Sequence, residues 1–201
     1  MKQLIAITFP IPFIGESGLI VRLFENGLQR LHLRKPEAEP DAMRRILDNI
    51  PSQFHPAITL HGHFELIDEY PDLGGLHLNR QNPKAPNSFH GRLSCSCHNL
   101  KEVQEAHLLS YCFLSPIFNS ISKEGYTSSF SLEKLHQAAR EGIIGPKVFA
   151  LGGISPATLP YLKDLPFGGA AVLGSLWGKD PENDSQIIER LTKLLLCIKT
   201  L

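Results

Sequence analysis

Apolar residues along this chain come in short runs that alternate with amphipathic stretches from one end to the other. Eight runs have the length of ordinary strands: Leu4–Thr8, Leu28–Leu33, Ala57–Leu60, Gly75–Leu78, Leu93–Cys97, Tyr111–Ser115, Lys147–Leu151 and Ala170–Leu173. Between them the spacing predicts helices. Ser17–Asn26 carries a Leu19-Ile20-Leu23-Phe24 stripe, and Asp41–Asn49 follows a proline with an acidic start. Asn99–Leu109 opens on Asn99 three residues before Glu102, a capping-box arrangement. Ser131–Glu141 starts on a serine cap, and Ser155–Lys163 has Pro156 in its first turn, where a missing N–H costs nothing. Asp184–Thr200 is the most regular, with Ile187, Ile188, Leu191, Leu194, Leu195 and Ile198 on one side.

Regular β–α alternation implies parallel strands joined by right-handed crossovers. Eight such units predict an α/β fold, a single-domain (β/α)8 TIM barrel over residues 1–201, near the lower end of the usual size. An open doubly wound sheet is the alternative. The fourth unit is expected to have little helix, because Asn79–Arg92 contains Pro83 and Pro86.

In a barrel strand alternate residues point inward, and chemistry collects at the C-terminal ends. Several strand ends here are polar in matching parity. His32 and Arg34 share a face, as do His77 and Asn79, and so do Ser94, Ser96 and His98; the third strand runs into His61-Gly62-His63. A barrel interior is ordinarily filled by Val, Ile and Leu, so polar residues at four strand ends point to a site. One histidine alone would read as a hydrogen-bonded core residue.

Composition narrows the classes. Hydrophobic residues make up 42%, charged residues 20%, and the formal net charge is +0. That balance argues against nucleic-acid and membrane partners. No stretch approaches the roughly 20 apolar residues that span a bilayer, and Met1–Pro10 reads as a buried strand rather than a signal peptide. Of the four cysteines, Cys95 and Cys97 share a strand face and are poorly placed to bridge. With Cys112 and Cys197 they are expected to be free thiols, which points to the cytoplasm.

Three later segments suit anions. Leu151-Gly152-Gly153-Ile154-Ser155-Pro156 follows a strand and opens a predicted helix, and Val172-Leu173-Gly174-Ser175-Leu176-Trp177 repeats that arrangement one unit on. Loops after the seventh and eighth strands are the recurrent phosphate site of such barrels. The loop from Ser115 to Gly125 adds hydroxyls at Ser120 and Ser122 and a cation at Lys123.

Together these segments resemble the thiamine phosphate synthase family, in order along essentially the whole chain. The resemblance implies an enzyme that joins an aminopyrimidine methyl diphosphate to a thiazole phosphate and releases diphosphate with Mg²⁺ assistance. The family's Gln-x-Arg-x-Lys run appears as His32-Leu33-Arg34-Lys35-Pro36, keeping Arg34, with His32 for Gln and the lysine one place early. Its Gly-x-His-x-Gly appears as Gly75-Leu76-His77-Leu78-Asn79, and its Gly-x-Ser-x-His as Ser94-Cys95-Ser96-Cys97-His98. Ser96 thus matches a diphosphate-contacting serine. The Gly-Pro-x-Phe-x-Thr-x-Thr-Lys loop becomes Ser115 to Lys123, with Ser120 and Ser122 for the threonines and the diphosphate-holding lysine kept at Lys123. Gly152-Gly153-Ile154 is intact and implies a thiazole phosphate site, while the family's serine after strand eight falls on Gly174 or Ser175.

The departures concern the metal. The family's Asn-Asp after strand three is His61-Gly62 here, and the second metal-binding Asp falls on Asn82. Arg80 stands where the family has Gln. A sister branch, the metal-free thiazole tautomerases, carries a catalytic histidine where this chain has Pro116. The resemblance therefore implies a transferase of thiamine biosynthesis acting through Arg34, Lys123 and Ser96. Its substrate-binding residues would be His32, His61, His77, Ser120, Ser122, Gly152, Gly153, Gly174 and Ser175, with Asn82 as the remaining candidate for Mg²⁺. Its partners would be phosphorylated pyrimidine and thiazole substrates, with a homo-oligomer allowed. A second reading is a family member without the Mg²⁺ site that binds a phosphate ester for acid–base or regulatory work through His32, His61 and His77. A third is a zinc hydrolase built on His61-Gly62-His63 with His32 or His77.

Overall fold

The structure, a computed structural model, describes residues 2–118, 130–179 and 181–200. Eight parallel strands close into a barrel in sequence order, which excludes the open sheet. They are β1 (Gln3–Ile7), β2 (Arg30–Leu33), β3 (Ile58–Leu60), β4 (Gly75–Leu78), β5 (Arg92–Cys97), β6 (Tyr111–Leu114), β7 (Val148–Ala150) and β8 (Gly169–Val172). The ring closes where β1 pairs with β8, and the two backbones approach so closely there that a Cβ on Gly169 would collide with Gln3 O.

The helices are α1 (Glu16–Glu25), α2 (Pro40–Asp48), α3 (Leu100–Glu105), α4 (Leu132–Arg140), α5 (Gly174–Trp177) and α6 (Asp184–Lys199). Leu19, Ile20, Leu23 and Phe24 of α1 are buried, as their spacing predicts, and so are Ile187, Leu191, Leu194 and Ile198 of α6. At the start of α3, Asn99 accepts from Glu102 N at 2.9 Å, and the Glu102 carboxylate accepts from His98 N at 2.6 Å. That cap satisfies donors the helix itself leaves open.

Two helix expectations need correction. Asn99–Leu109 is α3 followed by a separate 3-10 turn, Ala106–Leu108. Ser155–Lys163 is a turn and a 3-10 segment, Leu159–Leu162. Its start is tied by local bonds: Ser155 N donates to Thr158 Oγ1 at 2.8 Å, and Thr158 Oγ1 donates to Gly153 O at 2.8 Å. Such side-chain bonds compete with the helical ladder, and Pro160 lacks a donor for it. The β4–β5 connection carries no helix, and β3–β4 carries only the 3-10 segment Phe64–Asp68.

Pairing fixes what points inward. Ile5 is level with Arg30, His32 with Thr59, Thr59 with Gly75, His77 with Ser94, Ser94 with Tyr111, and Phe113 with Phe149. Inside the barrel Ile5, Ile7, Tyr111, Phe113, Phe149 and Ala171 form an apolar cluster from β1, β6, β7 and β8. The opposite half of the interior, from β2 to β5, is polar, with His32, Thr59, His77 and Ser94 all buried. The larger core lies between the strands and the helices.

Candidate active site

A cavity of about 1290 Å³ opens at the C-terminal end of the barrel. Its wall includes Arg34, His61, His77, Arg80, Asn82 and Ser96, with Phe113, Leu151 and Leu173 on the apolar side. His32 lies deeper, 0% exposed and off the cavity wall.

The polar half of the barrel converges on three imidazoles. His32 Nε2 meets the Tyr111 hydroxyl at 2.6 Å, and His32 Nδ1 meets His61 Nε2 at 2.7 Å. His77 is held from both sides, Nδ1 to Ser94 Oγ at 2.9 Å and Nε2 to Ser96 Oγ at 3.0 Å. The His61 and His77 rings stack 4.1 Å apart at 14°. Phe113 stacks on His77 at 5.2 Å and ties the cluster to the apolar half.

Burial strips water from these rings and is the main reason their pKa values fall: His32 and His61 lie well below the ordinary imidazole range, and His77 is pushed down to about 3. Positive neighbours push the same way, Arg30 and Arg92 on His32, and Arg34 on His61 and His77. At neutral pH each imidazole is therefore uncharged, offering one N–H and one lone pair.

Arg34 is exposed in the cavity wall, its backbone pinned by Thr8: Arg34 N donates to Thr8 Oγ1 at 2.9 Å, and Thr8 Oγ1 donates to Arg34 O at 3.0 Å. Among the described residues no carboxylate pairs with its guanidinium. Its sequence neighbour Lys35 behaves differently. Lys35 is buried in an ion pair with Glu16 and also donates to Phe9 O at 2.6 Å. The lysine of the Arg34-Lys35 pair is thus part of the scaffold.

Asn82 reaches the cavity from a turn closed by Asn79, whose Oδ1 accepts from Gln81 N at 3.0 Å and Asn82 N at 2.9 Å. The Asn79 amide donates to His61 O at 2.7 Å, so one side chain fixes both the turn and the His61 segment. Gly152 and Gly153 adopt φ of +93° and +65° after β7. A Cβ on Gly152 would lie 2.8 Å from Pro116 Cα, so the position requires glycine on two counts. Gly174 and Ser175 begin α5 after β8, and Ser175 Oγ is buried without a partner among the described residues. These four residues sit at the same barrel end, but the cavity wall stops at Leu151 and Leu173 just before them. Ser120, Ser122 and Lys123 lie outside the described residues.

His63, the second histidine of His61-Gly62-His63, does not join the cluster. It turns away in a left-handed conformation, φ +54°, and its Nε2 meets Ala38 O at 2.8 Å. Sequence reasoning placed Ser94 on the polar inner face with Ser96 but missed Tyr111 as part of the site. The inward parity of Tyr111 was readable, since it shares that parity with Phe113. That Tyr111, at the start of β6, spans the barrel to reach His32 was not.

The family model for thiamine monophosphate synthase matches residues 18–176. Among solved structures, a thiamine phosphate pyrophosphorylase from Bacteroides thetaiotaomicron is 40% identical, with 98% of each chain covered and a TM-score of 0.88. One from Pyrococcus furiosus is 17% identical over 98% of this chain and 95% of that one, TM-score 0.76, and speaks for the fold. So does (S)-3-O-geranylgeranylglyceryl phosphate synthase from Thermoplasma acidophilum, 11% identical over 100% of this chain and 94% of that one, TM-score 0.69. No curated protein sequence matches the chain significantly.

Proposed function

Because the chain belongs to the thiamine monophosphate synthase family, we propose that it is a cytoplasmic transferase joining an aminopyrimidine methyl diphosphate to a thiazole phosphate. The observation that carries this reading is Arg34, a guanidinium in the cavity wall without a carboxylate partner among the described residues, close enough to His61 and His77 to help depress both. An anion is the natural complement of that charge.

In this reading the pyrimidine lies against the uncharged imidazoles of His61 and His77 on the cavity wall. Arg34 and Arg80 on the cavity wall, with Lys123 by resemblance, take the charge of the diphosphate. As the bond between the methylene carbon and the diphosphate oxygen breaks, its electron pair leaves on oxygen, these cations stabilise that developing charge, and the lone pair of the thiazole nitrogen forms the new bond to the methylene carbon. Ser96 donates to the same group once its hydroxyl turns from His77 Nε2. The thiazole phosphate sits at Gly152-Gly153 and Gly174-Ser175, where the buried Ser175 hydroxyl lacks an acceptor.

The Mg²⁺ that the family implies is poorly served by these residues. Mg²⁺ takes near-octahedral hard oxygen ligands, and the two positions that would supply carboxylates are Gly62 and Asn82. Of the acids on the wall, Glu102 is engaged as a helix cap, Glu65 faces His63, and Glu37 and Glu39 stand on the β2–α2 connection rather than at either family metal position. At those two positions and beside them the chain presents imidazole and amide instead, and no step is routed through Mg²⁺.

The test is formation of thiamine phosphate from the two phosphorylated halves by the full chain, with Mg²⁺ and with EDTA. Turnover abolished by Arg34→Ala supports the transferase. Absence of turnover under both conditions, with thiazole phosphate still bound, overturns it. The reading left would be a family member that keeps the phosphate cradle and works through its histidines, which the unusual imidazole cluster favours.

A further inference from the structure

We propose that His32, His61 and His77 form a site for one divalent transition-metal ion of the zinc class. The inference stands on side-chain geometry and goes beyond the transferase reading without resting on it.

The three imidazoles come from three consecutive strand ends, β2, β3 and β4, and one ligand nitrogen from each lies within 4.8 Å of the other two. Two rings are held by outer hydroxyls, as metal-bound histidines usually are: Tyr111 on His32 Nε2 and Ser94 on His77 Nδ1. Such partners fix ring orientation and tautomer. His32 Nδ1 and His61 Nε2 face one another at 2.7 Å. Tetrahedral coordination with metal–nitrogen bonds of about 2.0–2.1 Å would hold two such nitrogens about 3.3 Å apart. The pair must therefore open by roughly 0.6 Å, and the His61 ring must turn out of its 14° stack with His77 so that both lone pairs meet the ion. Asn79 holds the His61 backbone just beyond the end of β3, so the change falls on the side chain.

The protons balance without loss to solvent. With Nε2–H of His32 donating to the Tyr111 oxygen, its Nδ1 lone pair accepts from His61 Nε2–H in the empty site and turns to the ion when that proton moves to His61 Nδ1. His61 then binds through Nε2, and His77 binds through Nε2 in exchange for its bond to Ser96 and keeps Nδ1–H toward Ser94. Three neutral imidazoles select Zn²⁺, Co²⁺, Ni²⁺ or Cu²⁺ over Mg²⁺. The fourth position faces the cavity, where the charge of Arg34 draws an anionic oxygen ligand.

The experiment titrates the full chain, stripped with a chelator and desalted, with ZnCl₂ and with CoCl₂ in the absence of any substrate. The expected result is one ion per chain and the intense visible bands of four-coordinate Co²⁺. His61→Ala, a change at the cavity wall, should weaken binding on the order of 100-fold or more, and Tyr111→Phe by about 10-fold. His90→Ala and His107→Ala, which alter exposed histidines outside the cluster, should bind as the parent does. No uptake by the parent chain, a six-coordinate Co²⁺ spectrum, or unchanged affinity in a folded His61→Ala variant overturns the site. Because no substrate is present, failure here leaves the transferase test untouched, and failure there leaves this one standing.

Discussion

In a Lys35→Ala variant the Glu16 carboxylate would remain in a pocket where its side chain is 2% exposed, its ion-pair partner gone. One of its oxygens already lacks a hydrogen-bond partner among the described residues, and a backbone hydrogen bond at Phe13 is what remains to compensate. Breaking a buried pair by removing one member costs about 3–5 kcal/mol. For a domain of this size each kcal/mol moves the melting temperature by about 2–4 °C, which gives a fall of about 6–20 °C. Burial pushes the Glu16 carboxyl up, and Lys35 is the main group opposing it, with a backbone hydrogen bond at Phe13. Without Lys35 that carboxyl rises further. Stability associated with a raised carboxyl is present below the unfolded value of about 4.3 and is lost as pH climbs through the folded value. The deficit should therefore be small near about pH 4 and grow toward neutrality. Thermal melts by circular dichroism across that range measure it. Glu16→Leu with Lys35→Met should recover most of the loss, since replacing a buried pair by apolar groups is often neutral. A Lys35→Ala protein that melts like the parent and has lost affinity for inorganic diphosphate would refute this reasoning and move the Lys35 amine into the binding site.

Gly152→Ala places a Cβ 2.8 Å from Pro116 Cα at a φ of +93° and should cost about 1–3 kcal/mol, read as a lowered melting temperature. An unchanged melt would refute the steric account. Lys123→Ala should weaken inorganic diphosphate binding about 10- to 100-fold by calorimetry, the loss of one charge-assisted contact. Equal affinity would remove that loop from the site. Ser96→Ala deletes one neutral donor and should cost about 1 kcal/mol, about a fivefold weaker affinity in the same titration. A loss as large as that from Lys123→Ala would show that Ser96 acts through the orientation of His77.

The barrel was readable because its signal is redundant: eight apolar runs and the segments between them each vote for the same alternation, so misjudging the segment after Ser155 left the topology intact. Boundaries were less readable, since Thr158 and Ser155 redirect the chain through side-chain bonds that no periodicity reports. At the site, parity along β2, β4 and β5 placed His32, His77, Ser94 and Ser96 on inner faces, because a strand's period of two is a local property. Which inner residues touch depends on register between strands. That is why His61 could be tied to His32 only in three dimensions, and why the adjacent His63 could look equivalent until its left-handed turn sent it to Ala38. Lys35 shows the same limit in reverse: one residue beyond Arg34, it faces the other way and neutralises Glu16.

The loss of acid at Gly62 and Asn82 and the gain of imidazole at His32 and His61 belong to one electrostatic arrangement. Arg30, Arg34 and Arg92 all act on the histidine cluster, and none of the three has a carboxylate partner among the described residues. A carboxylate beside His61 would draw those arginines and raise the imidazole pKa values, filling the site with its own ion pairs. With a bare glycine next to His61, the positive charge stays unspent, and the rings stay neutral. Such a pocket gains most from a ligand that brings its own negative charge, which is what a phosphorylated substrate supplies.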